Sequence, residues 1–305
     1  MRSASKERLA TLLLMAVTTV WGSTFFLIKD IVTVLPPIDF LAVRFVIAAL
    51  GMLAIFWKAL RALSARDVRL GVVLGLMYGA AQVLQTLGLQ HTDASVSGFI
   101  TGTYVVLTPL LAAILLRDRI GPMAWFAVAL ATVGLAILSL RGVAVGIGEL
   151  QTFGGAIIYA LHIIALGRWS TGRTAVGLAT LQACVIAAVC LVAALPGGIA
   201  LPQGGSQWLS MFYMALVAGA FALWAQTWAQ AHLTATRAAV VMATEPVFAA
   251  SFAVVLGGES LTARMLIGGA LVLAATYLVE LRPTRPPNAS ALDDPPAEVL
   301  HHDVP

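Results

Sequence analysis

Two charged residues stand inside apolar stretches that are long enough to cross a membrane. Arg44 lies about one and a half turns into the second stretch, and Glu245 lies deep in the ninth, directly before Pro246. An ionisable group at membrane depth costs at least about 2.5–3.5 kcal/mol, so it is retained where it is paired, lies near an interface or lines water. The arginine could attract a carboxylate. The glutamate could bind an ammonium group or take up a proton.

Each of these two residues also has a structural interpretation. Arg44 could be an interfacial arginine that snorkels outward, paired with Asp39 or Asp30. Glu245 could hydrogen-bond to neighbouring helices for shape alone. The proline after Glu245 removes a backbone donor and frees a carbonyl in the preceding turn, and a broken helix at depth is tolerated where it lines a cavity. Both interpretations stay open on the sequence.

Other polar and aromatic residues in the apolar stretches are candidates for the walls of the same site. Tyr78, Gln82 and Gln85 share one helical face. His162 suits a proton shuttle, although a lone histidine more often serves packing. Trp21 could stack on substrate or anchor its helix at the interface. The predicted substrate-binding residues are Trp21, Arg44, Tyr78, Gln82, Gln85, Tyr104, His162 and Glu245.

The elements that must position these residues are ten apolar stretches that fill almost the whole chain. The protein has 305 residues, of which 60% are hydrophobic and 10% charged, and its mean hydropathy is +0.94. An ordinary soluble domain carries about 25% charged residues, so this chain cannot cover a water-facing surface. Each stretch can cross a bilayer core of about 30 Å. The predicted spans are Leu9–Ile28, Ile38–Trp57, Leu70–Gln90, Ala94–Leu116, Pro122–Leu140, Leu150–Gly167, Thr174–Leu195, Trp208–Ala231, Thr234–Leu256 and Thr262–Leu281.

Basic residues predict the orientation of the spans. With the N-terminus inside, fourteen lysines and arginines fall in cytoplasmic segments and three fall outside, as the positive-inside rule requires. Both termini are then cytoplasmic, and the net charge of +4 needs no nucleic-acid partner. The outside residues are Lys29, Arg141 and Arg264. The inside residues are Arg2, Lys6, Arg8, Lys58, Arg61, Arg66, Arg69, Arg117, Arg119, Arg168, Arg173, Arg237, Arg282 and Arg285.

The ten stretches divide into two sets of five. Because five crossings begin and end on opposite sides, a second copy must be inverted relative to the first, as in many secondary transporters. A shift of 141 residues aligns Gln85 with Gln226 and Tyr104 with Glu245, which places Tyr104 in the candidate site. We therefore predict an all-α integral membrane protein of ten transmembrane helices in two inverted five-helix repeats, with both termini cytoplasmic. Its predicted parts are an N-terminal tail at 1–8, repeats at 9–141 and 149–281, and a Pro-rich disordered cytoplasmic tail at 282–305.

Five motifs carry a family resemblance. They are Trp21-Gly22-Ser23-Thr24-Phe25 with Lys29, Pro36-Pro37 with Ala42-Val43-Arg44-Phe45, Leu233-Thr234-Ala235-Thr236-Arg237-Ala238, Glu245-Pro246-Val247-Phe248-Ala249 and Gly258-Glu259. They resemble the EamA family of the drug/metabolite transporter superfamily, over about residues 9 to 281. The first half departs from the pattern, because it carries Thr108-Pro109 rather than Glu-Pro, with the proline nearer the following acidic residue.

The resemblance implies a multi-pass carrier for small metabolites in the plasma (inner) membrane. Members are often exporters of amino acids or related compounds, and others move sugars, nucleotide precursors or drugs. It also implies substrate binding near mid-membrane and alternating access by rocking of the two halves. A carboxylate and a histidine at membrane depth permit proton coupling without requiring it. The expected partners are a small-molecule substrate and the lipid bilayer, and the protein is expected to be a monomer or a homodimer.

The sequence holds no pattern for catalysis, cofactor binding or metal binding. It lacks a G-x-x-x-x-G-K-[ST] loop and an H-E-x-x-H motif, and Cys184 and Cys190 are poorly placed to bridge each other. We therefore expect a protein that is not an enzyme and needs no cofactor. The alternatives left open are a membrane-embedded enzyme with Glu245 and His162 as an acid–base pair, a channel or scaffold, and a broad-specificity drug exporter.

Overall fold

The computed structural model describes residues 2–116, 122–141, 144–230, 232–233 and 241–280. In the first half the helices are α1 (Arg2–Ile31), α2 (Pro37–Arg61), α3 (Ala65–Leu89), α4 (Ala94–Gly102), α5 (Tyr104–Leu116) and α6 (Pro122–Ser139). In the second half they are α7 (Ile147–Trp169), α8 (Ala175–Ala194), a short 3₁₀ turn (Leu195–Gly197), α9 (Gly205–Phe212), a π-helix (Tyr213–Phe221), α10 (Ala222–Gln230), α11 (Glu245–Val255) and α12 (Ala263–Glu280).

Some sequence predictions fall outside the described residues. They are the basic residues Arg117, Arg119, Arg237, Arg282 and Arg285, the start of the ninth span at Thr234, and the tail at 282–305. Between the two halves, the described residues include the two-residue strands β1 (Leu140–Arg141) and β2 (Ala144–Val145), which pair antiparallel.

The described helices are those of a multi-pass membrane protein. Seven helical segments are long and apolar enough to cross a membrane, and shorter apolar helices occur at Trp125–Leu138, Glu245–Val255 and Ala263–Ala275. Backbone donors and acceptors have no water to bond in lipid, so a helix that pairs them internally is the stable form of each apolar run. The helical class is as predicted. The count of ten spans, their inversion and the sidedness of the termini stay predictions.

Two helices are interrupted at positions that correspond in the 141-residue shift. Thr103 separates α4 from α5, and a turn at Ala243–Thr244 precedes α11. In both places the threonine hydroxyl donates a hydrogen bond of 2.6 Å to the backbone carbonyl three residues earlier. Such a side chain competes with the helical hydrogen-bond ladder. The residues that follow the two breaks are Tyr104 and Glu245, which therefore begin α5 and α11.

Glycines bring the interrupted helices into close contact. A β-carbon on Gly98 would lie 2.5 Å from the β-carbon of Ala249, and one on Gly102 would collide with the ring of Pro246. A β-carbon on Gly22 of α1 would lie 2.8 Å from the backbone nitrogen of Ala249. The absence of side chains at these three positions lets α1, α4 and α11 cross at the centre of the bundle.

We expect Gly102→Ala to destabilise the protein by about 1–3 kcal/mol, because the added methyl group overpacks the contact with Pro246. Gly167 on α7 is a matched control, since a β-carbon there would meet nothing within 4 Å. Gly167→Ala should be neutral or stabilise by up to about 1 kcal/mol, because alanine loses less backbone entropy. Thermal unfolding of the purified variants measures both effects. Equal unfolding midpoints for the two variants would contradict the close contact.

Candidate functional site

A narrow cavity of about 40 Å³ lies at the centre of the bundle, with room for roughly three water molecules. All eight residues predicted to bind substrate line it. They reach it from α1, α2, α3, α5, α7 and α11, so positions far apart in the chain converge there. The structure adds seven lining residues that the prediction left out: Thr24, Ile28, Thr101, Tyr159, Ile163, Gln226 and Met242.

Arg44 is enclosed on α2, with only 2% of its surface exposed. Its Nε donates to the carbonyl oxygen of Met214 at 3.1 Å, and its Nη1 donates to Oε1 of Gln82 at 3.3 Å. The guanidinium also lies over the rings of Phe40 and Phe45, 5.9 and 5.3 Å from their centroids. Among the described residues it has no acidic partner within ion-pair distance. A buried positive charge of this kind is suited to receive an anionic group.

The snorkelling interpretation of Arg44 is wrong. An arginine that reaches the headgroups would leave its guanidinium exposed, whereas this one is buried inside the bundle. The carboxylate of Asp39 has a different partner, because it accepts a hydrogen bond of 3.0 Å from the backbone nitrogen of Ala200. Asp30 lies exposed near the end of α1. Neither aspartate forms an ion pair with the arginine.

Glu245 is 5% exposed and begins α11. Its Oε2 accepts a hydrogen bond of 2.8 Å from the hydroxyl of Tyr104, the residue that the 141-residue shift aligns with it. The carboxylate lies in the first turn of the helix, where the positive end of the helix dipole stabilises a negative charge. It too has no ion-pair partner among the described residues.

A chain of hydrogen bonds crosses the cavity wall between α3, α4 and α7. Gln82 donates to the hydroxyl of Tyr159 at 2.7 Å and to that of Tyr78 at 3.2 Å. Tyr159 donates to Oε1 of Gln85 at 3.2 Å, and Gln85 donates to Thr101 at 3.0 Å. Tyr159 is the most connected residue that sequence reasoning missed. Its position three residues before His162, on the same face of α7, is the signal that could have found it.

Trp21 and Arg44 are both held by the π-helical stretch Tyr213–Phe221. The indole Nε1 of Trp21 donates to the carbonyl oxygen of Ala218 at 2.9 Å, and Arg44 donates to that of Met214. Irregular π-helical turns occur frequently at functional sites. Here the irregular turn supplies carbonyl oxygens that fix the direction of two cavity side chains.

His162 is fixed by a different neighbour. Its Nε2 lies 2.7 Å from Oε1 of Gln182, and its ring centroid lies 5.3 Å from that of Tyr78. Glu245 bonds instead to Tyr104, so the two groups of the acid–base alternative line one cavity without bonding to each other. Within the described part of the chain, no cluster of His, Cys, Asp or Glu could hold a metal ion.

The sequence profile of the EamA-like transporter family matches residues 8–140 and again residues 146–281. The chain belongs to the EamA-like transporter family. This EamA-like transporter is also similar to an uncharacterized transporter of Archaeoglobus fulgidus, with 30% identity over 277 residues, 91% of this chain and 87% of the relative. A solved crystal structure shares its fold, with a TM-score of 0.64 and 20% identity over 88% of this chain and 96% of that one. The family and the relative are transporters, so the chain is a multi-pass membrane protein of a transport family.

At one end of this EamA-like transporter, a second set of contacts connects the start of α4 to the loop between α11 and α12 and to the end of α1. The carboxylate of Glu259, from the loop between α11 and α12, accepts hydrogen bonds from the backbone nitrogens of Ala94 and Ser95 at 2.7 and 3.3 Å. It therefore caps the N-terminus of α4 from a distant part of the chain. Beside it, Lys29 pairs with Asp93 at 3.3 Å. We call the contact of Glu259 with the start of α4 the Glu259 latch. In the predicted orientation it lies at the outer end.

Removing the latch should expose the start of α4. In a background of Cys184→Ala and Cys190→Ala, we expect Glu259→Ala to raise the rate at which a maleimide labels Ser95→Cys. Two hydrogen bonds to a charged group are lost, so the expected increase is roughly tenfold. Asp67→Ala is the control, because it removes a carboxylate that caps α3 at the other end. An unchanged labelling rate after Glu259→Ala would contradict the latch.

Proposed function

We propose that this EamA-like transporter is a secondary transporter that exports small metabolites, such as amino acids or related compounds, across the cell membrane by alternating access. The observation that carries the proposal is the central cavity. It holds a buried guanidinium and a buried carboxylate, and neither has an ion-pair partner among the described residues. A zwitterion would neutralise both charges, with its carboxylate on Arg44 and its ammonium group on Glu245. An α-amino acid carries both groups.

Two inverted halves account for where the cavity lies. The family profile matches the chain twice, which supports repeats at 9–141 and 149–281. Tyr104 and Glu245 are 141 residues apart and bond to each other, as expected of equivalent positions beside a two-fold axis. The cavity would then lie on that axis, with Arg44 contributed by the first half and Glu245 by the second. The positive-inside distribution of lysine and arginine supports cytoplasmic termini.

Alternating access requires the cavity to enlarge. Small-molecule sites usually measure about 300–1,000 Å³, whereas this cavity measures about 40 Å³. Rocking of one half against the other would open it to one side at a time. The interruptions at Thr103 and Thr244 give two cavity-lining helices a place to bend, as broken helices do in other transporters. The Glu259 latch would have to release in the state that opens toward it.

A comparison of released metabolites tests the proposed function. Cells that overexpress the protein should release more of a few zwitterionic metabolites than cells that lack the gene, and Glu245→Gln should remove most of the difference. Changes spread over many unrelated compounds would instead favour a broad-specificity drug exporter. No change in any released compound would contradict export.

A further inference from the structure

Gln226 of α10 carries a buried acceptor that the described protein does not satisfy. The residue lines the central cavity and is 3% exposed, yet its amide oxygen has no hydrogen-bond partner among the residues that the structure describes. Buried polar groups are almost always hydrogen-bonded, and an unpaired one destabilises the folded state. An unpaired acceptor in the wall of a binding cavity therefore points to a donor on the molecule that binds there.

The equivalent glutamine in the first half shows what is different about Gln226. Both ends of the Gln85 amide are used, because its oxygen accepts from Tyr159 and its nitrogen donates to Thr101. In the 141-residue shift, Thr101 corresponds to Met242, whose thioether accepts from Gln230 at 3.4 Å. The contrast that matters is at the oxygen: that of Gln85 accepts from Tyr159, whereas that of Gln226 has no partner among the described residues.

The residue that could have filled this position is directed elsewhere. In the 141-residue shift, Tyr159 of α7 corresponds to Thr18 of α1. Tyr159 donates to the glutamine of its site, Gln85. The hydroxyl of Thr18 instead donates to the carbonyl oxygen of Met15 and lies 3.3 Å from that of Thr244. The indole of Trp21, which lines the cavity, donates to the carbonyl oxygen of Ala218. The oxygen of Gln226 is left for a ligand.

We propose that the amide oxygen of Gln226 accepts a hydrogen bond from an N–H group of the transported molecule and selects for substrates that carry an amine. This inference rests on the proposed function and assigns a residue to one end of the substrate. Gln226 and Glu245 form an amine subsite from the second half, and Arg44 of the first half binds the carboxylate. A site built to hydrogen-bond a substrate group rejects analogues that lack the group, because its own polar atom then stays unpaired.

Competition between matched compounds tests this subsite. Purified protein in liposomes would carry out counterflow of a radiolabelled mixture of the common L-amino acids. The competitors are L-leucine against isocaproate and L-phenylalanine against hydrocinnamate, which differ only in that hydrogen replaces the amine. The wild-type protein should prefer each amino acid. Gln226→Leu should reduce that preference roughly tenfold or more, with competition by the amine-free acids unchanged.

Gln230→Leu is the matched control, because Gln230 lies one turn further along α10 and does not line the cavity. It should leave the amine preference unchanged.

Without ligand, Gln226→Leu should raise the unfolding midpoint by a few degrees, since it removes an unpaired buried acceptor. A lowered midpoint would show that the amide serves stability and would overturn the proposal. An unchanged preference in Gln226→Leu, or an equal loss in Gln230→Leu, would also overturn it.

Failure of this subsite differs from failure of the proposed function. If the mixture still undergoes counterflow but Gln226→Leu leaves the amine preference unchanged, the proposed subsite is wrong. The proposal of amino acid transport is then unaffected. If the wild-type protein shows no counterflow of the mixture, the proposed function and the proposed subsite are both wrong.

Discussion

Glu245→Gln should lower the initial rate of amino acid transport roughly ten- to a hundredfold in a protein that still folds. The glutamine oxygen can accept the hydrogen bond from Tyr104, so the packing around α11 is kept. What is lost is the charge that would bind a substrate ammonium group. Hydrogen bonds to charged groups contribute about 1.5–3 kcal/mol, which corresponds to that range of rates. Initial rates in proteoliposomes, at equal amounts of protein, measure the loss.

Glu149→Gln is the matched control for Glu245→Gln. Glu149 is 4% exposed and accepts a hydrogen bond of 3.0 Å from Thr92, but it does not line the central cavity. Its replacement removes a buried carboxylate without touching the proposed site, so transport should stay near the wild-type rate. Full transport by Glu245→Gln would mean that the carboxylate serves packing alone.

Arg44→Met should lower the initial rate of amino acid transport roughly a hundredfold in a protein that still folds. Methionine fills much of the same space and removes a desolvated charge, but it leaves the carbonyl oxygen of Met214 and Oε1 of Gln82 without this donor. These contributions to stability oppose each other, so the unfolding midpoint should change little. The guanidinium that would hold a substrate carboxylate is lost, so the rate should fall by roughly a hundredfold. The initial transport rate and the unfolding midpoint, measured on the same preparation, separate the two effects.

The control for Arg44→Met is Arg61→Met at the other end of α2. Arg61 is exposed and its guanidinium lies over the ring of Trp57, 5.9 Å from the centroid. This change removes one arginine from the same helix and should leave transport near the wild-type rate. A strongly lowered unfolding midpoint in Arg44→Met together with intact residual transport would show that the arginine holds the helices together and does not bind substrate.

The helical architecture was accessible from the sequence because lipid imposes a strong constraint on composition. Apolar runs of sufficient length must be helical in a bilayer, and the described residues of the apolar runs are largely helical. The interruptions carried a weaker signal. The proline of the fourth span, Pro109, lies inside α5. The break lies at Thr103, whose hydroxyl and backbone nitrogen both donate to the carbonyl oxygen of Ile100. The π-helix of Tyr213–Phe221 has no local sequence signal. Two of its carbonyl oxygens accept hydrogen bonds from Trp21 and Arg44, which lie far away in the chain.

The candidate site was accessible in part for a similar reason. Charged and amide side chains are costly in lipid, so Arg44, Glu245 and Gln85 stand out against their apolar surroundings. Tyr159 did not stand out, because a tyrosine in an apolar run fits a packing role equally well until the rotation of its helix is known. The unpaired oxygen of Gln226 also required the structure, since the sequence shows an amide but not which of its atoms is bonded.

Counterflow by purified protein in liposomes tests the central claim most directly. With an excess of unlabelled amino acids inside, wild-type protein should accumulate a radiolabelled mixture of L-amino acids transiently and saturably, and Glu245→Gln and Arg44→Met should not. This result would mean that one site is exposed to each side in turn. Flux or conductance without counterflow would indicate a channel. No flux, or counterflow that both variants retain, would contradict alternating access around the cavity that holds Arg44 and Glu245.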